Sequence, residues 1–474
     1  MNLDNIKNIY IIGIEGAGTS ALACILKAQG KNVIGSDEGD HFYYDVLAKA
    51  DIEVFHKFTA ENLKNAFRKT KSKPVGVEKI DLVIYSTVVQ PETNPELQYA
   101  LEAEEHFKIM SYPQALGAVF NEAEFGIAVC GTHGKTTTTA MLATALEKVG
   151  VQPTALVGSK VLEWGSNTLV GTGKYFVIEA DEYQNKLQYY KPRAVILTSA
   201  DYDHPDFFQT EKDYLQVFKD FVARIPEAGF LVAYAGDKNV VEISKSARCE
   251  VIFYDEVGAQ EILLSNDFCS DEECRGKTFG CCPAICQAKE KIKLFGVHNL
   301  LNATAAFKVI QKLGLKEQAA KQALQEFSGT ARRFEVKGKY QGAVVVDDYA
   351  HHPVEVQATL QSARERYGDK KIKCIFHPHT FTRTEALLTD FAKSFAEADE
   401  IYLLDIFGSA REKRGGVNSD DLIREIKTRN KNKVVKNLHT IEEAVEYFKT
   451  NLTDGDILIT MGAGDVYRVG GKLL

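Results

Sequence analysis

Gly126-Ile127-Ala128-Val129-Cys130-Gly131-Thr132-His133-Gly134-Lys135-Thr136-Thr137-Thr138 joins an apolar run to the start of a helix through a loop bracketed by glycines. The apolar run reads as a strand buried on both faces. Residues 137–149 read as a helix stopped by Gly150. Strand, glycine loop and helix in this order form an anion cradle. Glycines let backbone N–H groups close on phosphate oxygens, and the helix N-terminus adds its positive dipole end. Gly131, Thr132, His133, Gly134 and Thr137 supply the loop, Lys135 the charge for the β- and γ-phosphates, and Thr136 a hydroxyl for Mg²⁺. The loop is shorter than the usual G-x4-G-K-[ST], but its context predicts an ATP site.

Two more strand-like runs follow. Residues 175–180 end in Glu179-Ala180-Asp181-Glu182, and residues 194–198 lead to Asp201-Tyr202-Asp203-His204. Ligands of parallel α/β sheets bind at the C-terminal ends of strands. Thr136, Glu182 and His204 are therefore the expected metal set, with room for two Mg²⁺ ions. Asp201 and Asp203 are expected to be ordinary solvated loop acids.

Upstream, Gly13-Ile14-Glu15-Gly16-Ala17-Gly18-Thr19-Ser20 follows another apolar run, and Asp37 ends the next. This spacing is a dinucleotide fingerprint. It fits a nicotinamide cofactor or a UDP-linked substrate equally well. Downstream, residues 343–346, 372–376, 400–404 and 456–461 read as further strands. Strands alternating with helices predict an α/β chain of mainly parallel sheets. Its 474 residues suggest three domains, placed at 1–121, 122–326 and 327–474.

Net charge is −8, which argues against nucleic-acid partners. No apolar run reaches bilayer-spanning length, and the N-terminus has no basic, signal-like segment, so a cytoplasmic location without membrane contact is expected. Cys24, Cys130, Cys249 and Cys374 read as small core residues. Cys269, Cys274, Cys281, Cys282 and Cys286 lack the paired C-x2-C spacing of a zinc ribbon. They read as free thiols of a variable segment, with a local metal or redox site left open.

These motifs, with Gly296-x-His298-Asn299-x-x-Asn302, Arg332-Arg333-Phe334-Glu335, Asp347-Asp348-Tyr349-x-His351-His352-Pro353, His379-x-x-x-Arg383-Thr384 and Leu404-Asp405-Ile406-Phe407, resemble the Mur ligases of peptidoglycan synthesis over essentially the whole chain. The resemblance implies a Rossmann-like N-terminal UDP-binding domain, a central P-loop ATPase domain and a Rossmann-like C-terminal domain. It implies that ATP converts the carboxylate of UDP-N-acetylmuramate to an acyl phosphate, which the amine of an L-amino acid such as L-alanine then attacks.

By the same resemblance, Lys135, Glu182, His204, Arg333, Asp348 and His351 are catalytic. Asn299, Asn302, Arg333 and Asp348 contact ATP. Gly13, Gly16, Gly18, Thr19, Ser20, Asp37, Ser86 and Thr87 bind the UDP-sugar, and His351, His379 and Arg383 bind the amino acid. Three positions depart from alanine-adding members: Glu15 replaces a glycine, Ser199 an asparagine, and Thr380 an arginine suited to the amino acid's carboxylate. A ligase adding a preformed tripeptide, a nicotinamide-dependent oxidoreductase and a catalytically silent scaffold remain the alternatives. Without the family, Arg332-Arg333 would read as a solvated pair and His298 as a helix cap.

Overall fold

In the computed structural model, residues 3–39, 41–66, 79–256, 296–408, 416–429 and 431–474 are described. The five clustered cysteines lie outside them. The apolar runs become strands of three sheets. The first contains β1 (Asn8–Ile12), β2 (Asn32–Ser36), β3 (Glu53–Phe55), β4 (Leu82–Tyr85) and β5 (Lys108–Ser111), all parallel in the order β3-β2-β1-β4-β5. Its loops open at the C-terminal strand ends, where the order reverses beside β1.

The second sheet runs β12-β11-β10-β6-β9-β7-β8. Its strands are β6 (Phe125–Cys130), β7 (Thr154–Val161), β8 (Ser166–Leu169), β9 (Tyr175–Glu179), β10 (Ala194–Leu197), β11 (Phe230–Tyr234) and β12 (Glu250–Tyr254). The phosphate-loop strand β6 lies between β9 and β10, which brings the acids after those two strands to the loop. Among the described strands of this sheet, only β8 is antiparallel to its neighbour.

The third sheet runs β13-β14-β18-β15-β16-β17, from β13 (Glu335–Tyr340), β14 (Ala343–Asp348), β15 (Ile372–Phe376), β16 (Glu400–Leu403), β17 (Val434–Asn437) and β18 (Ile457–Met461). Its edge strand β13 is antiparallel. The α/β architecture of mainly parallel sheets is thus the one expected.

Helices cover the sheets through apolar faces. Leu22, Ile25 and Leu26 of Ala17–Ala28 are buried, as are Met141, Leu142 and Leu146 of Lys135–Lys148. Burying one such side chain contributes about 1.5–3 kcal/mol. Cys24, Cys130 and Cys374 are buried and Cys249 partly so. The helix Val297–Lys312 has Gly296 as its N-cap, so His298 lies inside its first turn and does not cap it. Burial lowers the His298 pKa to about 4, leaving the ring neutral.

Candidate active site

The phosphate loop turns on two glycines with positive φ, Gly131 at 129° and Gly134 at 79°. A side chain at Gly134 would place its Cβ 2.6 Å from Asn302 Oδ1. The loop is braced from behind by the residues after β10. Thr132 N–H donates to Ser199 O (3.1 Å) and His133 N–H to Ser199 Oγ (2.9 Å). Ser199, where relatives that add alanine were expected to carry asparagine, thus supplies an acceptor to the loop.

Lys135 Nζ reaches Gly131 O (2.5 Å), Thr132 O (3.0 Å) and Glu182 Oε2 (3.0 Å). Burial disfavours its charge, but Glu182, Asp181 and Glu179 outweigh burial and raise its pKa, so it stays protonated. The Thr136 hydroxyl donates to Glu179 Oε1 (2.8 Å), whose other oxygen accepts from Gly158 N–H (2.6 Å).

The Glu182 side chain is 1% exposed and lies 3.7 Å from His204 Nε2. Asp181 joins them: one donor atom from each of Asp181, Glu182 and His204 lies within 4.8 Å of the others. Burial alone would raise the Asp181 pKa, but Lys186, Lys135 and His204 bring it down to about 2. Anionic oxygens beside the Thr136 hydroxyl are the hard donors that Mg²⁺ takes, so the residues fit that ion. Asp181 stands in the same strand-end motif as Glu182, so the sequence also carries a signal for this third donor.

Asp203 is a correction. The expected solvated acid is buried beneath Arg383, whose Nε is 3.0 Å from Oδ1. No local pattern distinguishes it from Asp201, because its partner lies 180 residues away. Arg332 is no solvated cation either. It donates to Asp347 Oδ2 (3.1 Å) and Gly462 O (2.6 Å) and lies over the Tyr467 ring.

Asp348 ends β14 and accepts from Phe334 N–H and Ala350 N–H, both at 2.7 Å. Burial raises its pKa to about 6, with Arg333 partly opposing. Glu355, which sequence reasoning missed, connects the sheets. Its Oε1 lies 3.1 Å from His133 Nδ1, and its Oε2 accepts from His351 N–H at 3.0 Å. The only local signal for it was its position three residues after His352, where it closes a capping box. Burial lowers the His351 pKa to about 3 and that of His352 to about 4. His379 stacks on Phe407 and lies 3.4 Å from Arg383. Thr380 caps the next helix by accepting from Arg383 N–H.

Two cavities meet here. One, of about 500 Å³, is lined by His133, Gly134, Thr137, Asn299, Asn302 and Asp348 among others. The other, of about 850 Å³, is walled by Gly13, Gly16, Asp37 and Ser86 at one end and by Glu179 and Tyr349 at the other. Thr136 and Arg333 line both. Gly18, Thr19, Ser20 and Thr87 lie outside the larger cavity's wall. Gly18 packs under the Tyr112 ring, and the Thr19 and Ser20 hydroxyls donate to Gly13 O (2.6 Å) and Ala17 O (3.2 Å). These three hold the loop from behind.

Three family models match in the order of the sheets: "Mur ligase family, catalytic domain" over residues 8–123, "Mur ligase middle domain" over 129–310 and "Mur ligase, glutamate ligase domain" over 332–464. The chain belongs to the Mur ligase family. A UDP-N-acetylmuramate–L-alanine ligase of Caldanaerobacter subterraneus is 36% identical over 481 residues, covering 100% of this chain and 98% of that protein. Two solved structures share the fold. The UDP-N-acetylmuramate-alanine ligase of Thermotoga maritima has a TM-score of 0.75 at 24% identity, covering 99% of this chain and 98% of that one. A murein peptide ligase of Psychrobacter arcticus has 0.70 at 24%, covering 98% of each. As a Mur ligase, the chain has two cavities to fill, and its first glycine loop no longer calls for a nicotinamide.

Proposed function

We propose that the chain uses ATP to join L-alanine to the carboxylate of UDP-N-acetylmuramate, in peptidoglycan precursor synthesis in the cytoplasm. The observation that carries this reading is the wall shared by the two cavities. A phosphoryl donor in the smaller and a carboxylate in the larger meet at Thr136 and Arg333. The name of the 36%-identical relative supports the choice of substrates.

The diphosphate of the UDP-sugar rests at the Gly13–Gly16 loop, against the N-terminus of Ala17–Ala28. ATP lies along Gly131–Thr137, with Asn299 and Asn302 towards its nucleoside. A substrate carboxylate oxygen attacks the γ-phosphorus, the bond to the β–γ bridging oxygen breaks, and ADP leaves. Lys135 and Arg333 stabilise the charge that develops on the phosphoryl oxygens. Thr136, Asp181, Glu182 and His204 would hold Mg²⁺, which when bound neutralises phosphoryl oxygens.

The amine then attacks the acyl carbon, and the bond to phosphate breaks. His351 Nδ1 lies 3.1 Å from Tyr349 O and 3.3 Å from Glu355 Oε2, so it carries the ring proton of the neutral imidazole. This leaves Nε2 to accept a hydrogen bond from the amine. His379 and Arg383 flank that position. The Arg383–Asp203 and His133–Glu355 contacts close the C-terminal sheet over the loop, which protects an acyl phosphate from water.

The test is phosphate release with ATP, Mg²⁺ and UDP-N-acetylmuramate across L-alanine, L-serine, glycine and an L-alanyl-D-glutamyl-diaminopimelate tripeptide. L-Alanine should give the highest kcat/KM. Phosphate release with none of the amino acids, or preference for the tripeptide, would sink the reading.

A further inference from the structure

The loops that follow three neighbouring strands of the N-terminal sheet each carry a residue of a type that ligates metals: Glu15 after β1, His41 after β2 and His56 after β3. We propose that Glu15, His41 and His56 form a second metal site, for a transition-metal dication of the Zn²⁺ class. It is separate from the Mg²⁺ cluster at the phosphate loop.

One donor atom from each residue lies within 4.8 Å of the others. Glu15 Oε1 is 2.9 Å from His41 Nδ1 and 3.8 Å from His56 Nδ1, and the two imidazole rings meet edge-on with centroids 4.6 Å apart. Two imidazoles and a carboxylate are the donor set of open zinc sites, whose fourth position takes water or a ligand atom. Imidazole favours zinc-class ions over Mg²⁺.

The electrostatics agree. The Glu15 side chain is 3% exposed. Among the described residues, its ion-pair partners are these two histidines, with no lysine or arginine. A buried carboxylate is costly unless a positive charge compensates it, and a bound dication would supply that charge. The site is also anchored. Glu15 N–H donates to Asp37 Oδ2 (2.8 Å), and His41 is held at φ 57°, a conformation uncommon for residues other than glycine. Glu15 and His41 both line the larger cavity, so an ion held there would stand at its wall.

Zn²⁺ binding to the full chain would be measured by equilibrium dialysis with metal analysis, in millimolar Mg²⁺, for wild type and H41A/H56A. The cysteines and the Asp181-Glu182-His204 cluster are common to both proteins, so the difference reports this site. Wild type should bind one more Zn²⁺ per chain, and E15Q should weaken that binding at least about tenfold. Equal stoichiometry and affinity in wild type and H41A/H56A would overturn the proposal.

A second measurement needs no variant. His41 and His56 are half exposed, so diethyl pyrocarbonate should modify both, and peptide mass mapping reads each separately. Zn²⁺ should suppress modification at both positions together. Unchanged modification would refute the site. Neither result depends on the ligase substrates.

Discussion

Arg383 lays two guanidinium nitrogens on the two carboxylate oxygens of Asp203, Nε on Oδ1 at 3.0 Å and NH2 on Oδ2 at 3.3 Å, across the boundary between the C-terminal and central sheets. Both side chains are under a tenth exposed. Burial alone would raise the Asp203 pKa. The Arg383 guanidinium, with His204 behind it, instead holds it far below the usual carboxylate range. The pair ties the turn after β10 to the helix Phe381–Ala386 and fixes the closed arrangement in which Glu355 meets His133.

Removing one partner leaves the other as an uncompensated buried charge, at a cost of about 3–5 kcal/mol. Asp203→Asn should therefore lower stability by about 3 kcal/mol at neutral pH, measured by urea unfolding. The Asp203 pKa is depressed in the folded state, so its contribution is present above the unfolded value and lost as pH falls through the folded one. The gap between wild type and variant should stay constant from pH 8 to about 5 and narrow below about pH 4. A gap that widens on acidification would contradict the ion pair.

Lys135→Ala removes a cation pointed at the phosphate loop and leaves Glu182 buried without it. Turnover should fall on the order of 100- to 1000-fold or more, the size of losing a charge-stabilising donor. The readout is ADP formation under saturating substrates, with unfolding followed in parallel. Near wild-type turnover would remove Lys135 from its assigned role.

The strand–glycine loop–helix pattern alone locates the phosphate loop after β6, because glycine, lysine and threonine act there through backbone and local sequence. Parallel-sheet chemistry likewise placed Glu182 and His204 at neighbouring strand ends. Asp203 and Glu355 were not legible. Each owes its role to a partner over 170 residues away, Arg383 and His133 respectively, and an isolated acid in a loop or first helical turn looks the same with or without one. Gly18, Thr19 and Ser20 show another limit of the motif. Their motif marks the loop, but packing against Tyr112 and bonds to carbonyls turn them into its support.

Asp348 stores a pH-dependent cost. Burial raises its pKa from an ordinary 3.8 to about 6. A carboxyl with a raised folded pKa stabilises the fold below its unfolded pKa, and that contribution is lost as pH rises through the folded one. Asp348→Asn cannot ionise. It gives up one of the two acceptors offered to Phe334 and Ala350, so its absolute stability is set by two opposing effects. The difference from wild type should nonetheless move in the variant's favour by about 2.4 kcal/mol between pH 4 and pH 8. Activity should fall, since Asp348 lines the nucleotide cavity. A pH-independent difference in denaturant midpoints would show that Asp348 ionises freely.

Glu355 stands between His133 and His351, and its own pKa is held well below the usual range: burial opposes this, and the two histidines outweigh burial. His133 is the reciprocal case. Burial disfavours its charged form, but Glu355 first and Asp201 next raise its pKa above 6.5. The stability from charged His133 is therefore full below the unfolded value near 6.5 and lost as pH rises through the folded one. Glu355→Gln removes the dominant carboxylate and leaves burial opposed mainly by Asp201. The His133 ring should then titrate at lower pH than in wild type, as read from its imidazole carbon–proton NMR signal, assigned by its loss in His133→Gln. The same variant should raise KM for ATP more than it changes that for the amino acid, because His133 and Glu355 both wall the nucleotide cavity. An unchanged His133 midpoint would mean that the ion pair across the sheets does not form in solution, and the closed arrangement would lose its second anchor.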